Sequence, residues 1–210
     1  MPIVSTGLLS AHRRAIRASV DIVNTVGRAD LRRPTPCAAW DLAELLAHMT
    51  VQHRGFAAAA RGGGQDLALW NPASCRDTHD PVGDYAAAAH DVVDAFGAAD
   101  PDSQFALPEL GTSVPAEMGI GFHLIDYVVH GWDVAASLGV PFALPDDVVA
   151  TALPLALAVP DGDFRSMPDA PFGPAQAGDS ATDFDRLLRH LGRDPQWGDA
   201  FGHESLHPIQ

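Results

Sequence analysis

The stretch from Pro115 to Leu138 constrains this chain most, because it reads as a helix that neighbours must bury. At 100° per residue, Phe122, Ile125, Val129 and Ala136 fall on one side. Ile120, Leu124, Tyr127 and Val134 fall on the other. Between the two flanks, His123, Asp126, His130 and Asp133 share a sector of roughly 80°. A solvent-facing strip usually carries Lys, Arg, Glu or Gln, and this one carries only Asp and His. Asp126 and His130 are one turn apart on one face, so both can reach a single ion. The spacing leaves two readings open, a narrow wet strip or a metal site.

The rest of the chain supplies partners for that helix. From Thr6 to about Arg28, Leu9, Ile16, Val20 and Val23 recur at helical spacing, with Arg13, Arg14 and Arg17 on the remaining surface. Asp41 and Glu44 form a capping-box pair that starts a second helix, and the glycines at 62–64 end it. Leu42, Leu45, Leu46, Met49 and Phe56 give its buried stripe. A third, alanine-rich helix is expected over 82–98, and a fifth from Asp146 that Pro154 should kink or shorten. A short last helix is expected from Asp183 to Leu191. Residues 65–81, 99–114 and 160–180 hold Pro, Gly and Asn breakers and read as irregular chain, with no strand. The expectation is an all-α helical bundle in one domain, 1–210, with a core over about 6–158 and an extension over 159–210.

Composition narrows the function classes. The 210 residues are 47% hydrophobic, which excludes wholesale disorder. Net charge is −14, and all 13 bases are arginine. Residues 77–164 hold fifteen acids and no base, so the imbalance is local. Such a surface repels phosphate backbones and anionic lipid, which argues against nucleic-acid and membrane partners. Asp91, Asp94, Asp100 and Asp102 fit solvated helix faces and loops, leaving one or two carboxylates for a site. Cys37 and Cys75 are too few for a disulfide framework, and no C-x-x-C is present for structural zinc. No signal peptide or spanning segment is evident, so a cytoplasmic monomer or homodimer acting on a small molecule is expected.

A third candidate ligand lies on the second helix. His48 shares a stripe with Leu45, Met49, Gln52 and Phe56, so it faces inward, either as a hydrogen-bonded interior histidine or as a ligand. Two histidines and a carboxylate with open positions suit a catalytic metal site.

Two blocks carry a family resemblance. Thr35–Met49 (TPCAAWDLAELLAHM) and Asp126–Gly139 (DYVVHGWDVAASLG) resemble the signature blocks of the DinB-like metal-binding family. The nearest branch is the actinobacterial one related to the mycothiol-dependent maleylpyruvate isomerase N-terminal domain. Leu187–Trp197 (LLRHLGRDPQW) is similar to the end of that subgroup. The resemblance implies a DinB-like four-helix bundle with a divalent metal on His48, Asp126 and His130. Zinc comes first among the metals, with Ni, Fe or Mn allowed. It also implies a thiol-using isomerase or transferase with mycothiol as cosubstrate and a small electrophile as substrate. A non-catalytic metal-binding bundle of structural or stress-related role is the alternative. Where the isomerase has glutamate, this chain has the shorter Asp126.

Three further side chains are candidates to support the ligands. His123 could be a hydrogen-bond partner, a proton shuttle or an extra ligand. Asp133 either orients His130 through its second ring nitrogen or faces water. Gln52 could hydrogen-bond within the cavity. His53 lies roughly 140° from His48 on the wheel and is not expected as a co-ligand. Trp40, Trp132 and Cys37 read as packing residues, although Trp132 beside the ligands could line a pocket. The arginines of the first helix and of 28–33 are the expected basic groups for an anionic thiol.

Overall fold

Capping chemistry sets the helix ends. The Asp41 carboxylate accepts from the Glu44 backbone N–H and Glu44 accepts from that of Asp41, so α2 (Leu42–Ala60) starts on a capping box. Thr182 and Asp185 repeat the device for α6 (Asp183–His190). Gly139, at φ 70°, ends α4 (Ala116–Leu138) in the left-handed region that glycine tolerates. With α1 (Thr6–Val23), α3 (Pro81–Ala98) and α5 (Asp146–Leu157), these make up the helices. The structure is a computed structural model that describes residues 5–37, 40–167 and 170–197.

α2 packs on α3 and α1 on α4, with further contacts between α1 and α3 and between α2 and α4. α5 lies across α1 and α4, and α6 packs on α5. Two apolar clusters fill the bundle. One contains Phe56, Phe96, Phe105, Ile120 and Leu124. The other contains Ile16, Leu42, Leu45, Met49, Tyr85 and Tyr127. Among the described residues no helix is long and apolar enough to cross a membrane.

The fold is mostly helical, as expected, but residues 99–114 are not irregular. Gln104–Leu107 (β1) pairs antiparallel with Thr112–Pro115 (β2), with Phe105 opposite Val114. Phe105, Leu107 and Val114 turn into the core, the period-2 pattern of a half-buried strand, but over only four residues per strand. Pro108 and Gly111, which read as breakers, form the turn between them. α1 ends at Val23 rather than near Arg28. α5 continues only three residues past Pro154, which cannot donate to the turn before it.

The hairpin is held against α4 by close approach. Phe105 is fully buried, stacks on Phe96 at 5.6 Å, and lies over Gly119, where a Cβ would come within 2.6 Å of the ring. With Phe105 buried and stacked on Phe96, Gly119→Ala should destabilise the protein by about 1–3 kcal/mol through overpacking. Denaturant unfolding checks this, and an unchanged midpoint would mean that the ring moves freely.

Candidate metal centre

Three segments converge around one ring, His130 of α4: α4 itself, α2 and the stretch after α6 that carries Arg193. The ring is buried, with 3% of its side chain exposed. Its Nδ1–H donates to Asp133 Oδ2 at 2.9 Å, one turn further along α4. That bond orients the ring and turns Nε2 to the opposite side, where an ion would displace its proton. Nε2 faces Asp126 Oδ1 at 3.3 Å. His48 of α2 meets His130 edge-on, with ring centroids 5.3 Å apart. One donor atom each from His48, Asp126 and His130 lies within 4.8 Å of the other two, a set that could hold one divalent ion.

The electrostatics divide the site into two sides. Burial opposes charge on His130, but Asp126, and then Asp133, override it and hold its pKa well above the ordinary value. Burial, aided by the charge of His130, pulls His48 down to about 4, so it is neutral and available as a ligand at pH 7. Burial would raise Asp126, but the charge and hydrogen bond of His130 outweigh it and hold the carboxyl below its ordinary range.

On the far side of His130, Arg193 fills the space. Its Nε donates to Asp133 Oδ1 at 3.0 Å and its Nη2 to Oδ2 at 2.9 Å. Nη2 also reaches Cys37 Sγ at 3.0 Å. Cys37, His130 and Asp133 form a second group of donor atoms within 4.8 Å. A guanidinium already occupies that side, so the Nε2 side is where a cation fits. The Cys37 thiol donates to Asp133 at 3.3 Å, and burial, followed by the charge of Asp133, pushes its pKa up. It is therefore a packed thiol rather than a nucleophile.

The loop before α2 is shaped by Thr35, whose hydroxyl donates to the Trp40 carbonyl at 2.9 Å and accepts from the Cys37 N–H. Trp40 then covers His48, with ring centroids 4.6 Å apart. Gln52, one turn past His48, donates to Glu109 Oε2 at 2.8 Å and so ties the hairpin turn to α2. Burial raises the pKa of Glu109, Gln52 opposes that rise, and the charge of Asp126 adds to it.

Not every sequence candidate arrives at the ion side. His123 is turned away into the bundle, where Nδ1 pairs with His12 Nε2 at 2.9 Å and Nε2 with His53 Nδ1 at 3.2 Å. It lies on the edge of the polar sector of α4, and the partners that draw it inward come from other helices. Of the arginines expected for an anionic thiol, Arg14 pairs with Asp147 and Arg33 with Asp30. The arginine at the site is Arg193. Sequence reading passed over it because it follows a short helix, 60 residues from Asp133. The glycine before it, Gly192 at φ 81°, was the available signal, since it turns the chain inward after α6.

Comparison with known proteins points the same way. The family described as the mycothiol maleylpyruvate isomerase N-terminal domain matches residues 12–135. Uncharacterized proteins from two strains of Mycobacterium tuberculosis are 30% identical over 170 residues, covering 78% of this chain and 85% of each relative. No solved structure matches the chain significantly. The match spans more than half of the chain, including α2 and nearly all of α4, so this protein belongs to the mycothiol maleylpyruvate isomerase N-terminal domain family.

Proposed function

We propose that this chain is a divalent-metal-dependent enzyme of the thiol-using isomerase or transferase type, acting on a small electrophilic substrate. The observation that carries the reading is the donor set His48, Asp126 and His130, within 4.8 Å, with the His130 ring oriented from behind by Asp133. Two imidazoles and one carboxylate suit zinc and leave positions open. His48, Asp126 and His130 would hold the ion, which would supply Lewis acidity to activate a thiol or water.

The protein's own groups have separate tasks. Asp133 and Arg193 hold His130 in place. Trp40 covers His48 and limits water on that side. Glu109, exposed at the hairpin turn, is held by Gln52 beside the ligand helix and is placed to exchange protons with solvent. Mycothiol is the cosubstrate that the family's description suggests.

Elemental analysis of untagged protein is expected to find one zinc-class ion per chain, and His48→Ala to lose it while keeping helical content. Unaltered metal content in that variant would show that the ligands lie elsewhere. Mycothiol-dependent turnover across a panel of electrophiles, abolished by chelation, would support the enzymatic reading. Metal without thiol binding or turnover would leave a non-catalytic metal-binding bundle.

A further inference from the structure

His12, His53 and His123 come from α1, α2 and α4, and each is completely buried. They form a chain, His12 Nε2 to His123 Nδ1 at 2.9 Å and His123 Nε2 to His53 Nδ1 at 3.2 Å. The two outer nitrogens, His12 Nδ1 and His53 Nε2, are buried without a hydrogen-bond partner among the described residues. The chain lies between the two apolar clusters. Its rings meet Phe56 and Phe96 on one side and Tyr85 and Tyr127 on the other. We propose that this histidine chain is an acid-sensitive latch that holds α1, α2 and α4 together when neutral and releases them when protonated.

Proton counting supports the mechanism. Three neutral imidazoles carry three N–H protons. Two of these fill the two N–H···N bonds, and the third sits on one outer nitrogen. A fourth proton keeps both bonds but places a whole charge among aromatic rings, with both outer N–H groups unpaired. A fifth must put two protons into one N···N contact, which breaks it.

Among the described residues, no acidic group offsets that charge. The Tyr85 hydroxyl donates to Ser19 and the Tyr127 hydroxyl to the Met49 carbonyl, so both are engaged. The charge felt by His12 is that of Arg13, which repels a proton. Burial first, and then Arg13, lowers His12 to about 3. Burial followed by the neighbouring histidines holds His53 and His123 well below the ordinary value.

The sign follows from these directions. The unfolded chain takes up protons near pH 6.5, whereas the folded chain resists them down to about 3 at His12. Stability from the latch is therefore intact above pH 6.5 and is lost progressively as pH falls below it. Each histidine weakens the folding equilibrium constant by up to about tenfold per pH unit in that window, roughly 1,000-fold for three. α2 and α4 also carry His48, Asp126 and His130, so opening the latch would part the proposed ligands.

The test uses the full-length, metal-free protein. Denaturant unfolding is measured from pH 7.5 to 4 for the wild type and for the double variant His12→Phe/His53→Phe. The variant is expected to lose up to about 100-fold per pH unit from the slope. His48 contributes equally to both proteins and cancels. Equal slopes would overturn the latch. Nitrogen-15 spectra of the wild type provide a second arm that does not depend on the variant folding. All three rings are expected to stay neutral until they change together with unfolding, and a ring titrating singly near pH 6.5 in the native state would overturn the proposal. Neither arm requires a metal. If the chain binds zinc, its release in acid should coincide with unfolding; if it binds none, the metal reading fails and the latch is still decided.

Discussion

Arg193→Ala is expected to cost about 3–5 kcal/mol of stability, the range for removing one partner of a buried ion pair. Asp133 is fully buried and Arg193 is 6% exposed, so solvent screens the pair little. Burial opposes the charge on Asp133, but Arg193, with His130, holds its carboxyl well below the usual carboxylate range. Removing the guanidinium leaves that charge with His130 and the Cys37 thiol as its remaining partners. Urea unfolding followed at 222 nm measures the loss. A loss below about 1 kcal/mol, the range of exposed pairs, would mean that the C-terminal segment is not docked on α4. Arg193→Lys is expected to recover only part of the loss, because an ammonium keeps the charge but not the two-pronged grip on Asp133.

How much of this was legible beforehand depends on whether a feature is local. The start of α2 was legible, because Asp41 and Glu44 satisfy each other's backbone within one turn. The polar strip of α4 was legible for the same reason, since helical geometry alone puts Asp126 beside His130. The hairpin was not, because four-residue strands give periodicity too little length to show and their turn residues read as loop. Arg193 and the histidine chain are contacts between distant segments. His12, His53 and His123 look unrelated until α1, α2 and α4 pack, and only then does His123 have a reason to leave the ion side. The acidity of residues 77–164 is mostly surface, as expected: Asp91, Asp94, Asp100 and Asp102 are all exposed. Asp126, Asp133 and Glu109 are the acids of that segment drawn into the site and its rim.

The support given to His130 from behind has a measurable consequence at the proposed ion. His130→Ala removes a ligand outright and is expected to abolish stoichiometric metal binding. Asp133→Asn leaves all three ligands in place but weakens the acceptor that fixes the Nδ1–H, so Nε2 becomes less basic and less well aimed. The expected result is one ion per chain with affinity lowered about 10–100-fold. Competition against a chromophoric chelator measures both variants. His123→Phe is the control, because its ring belongs to the interior histidine chain rather than to the ion side. It should keep the metal stoichiometry and affinity even if stability falls. If His123→Phe lost the ion and Asp133→Asn did not, His123 rather than Asp133 would be the residue that supports the ligands.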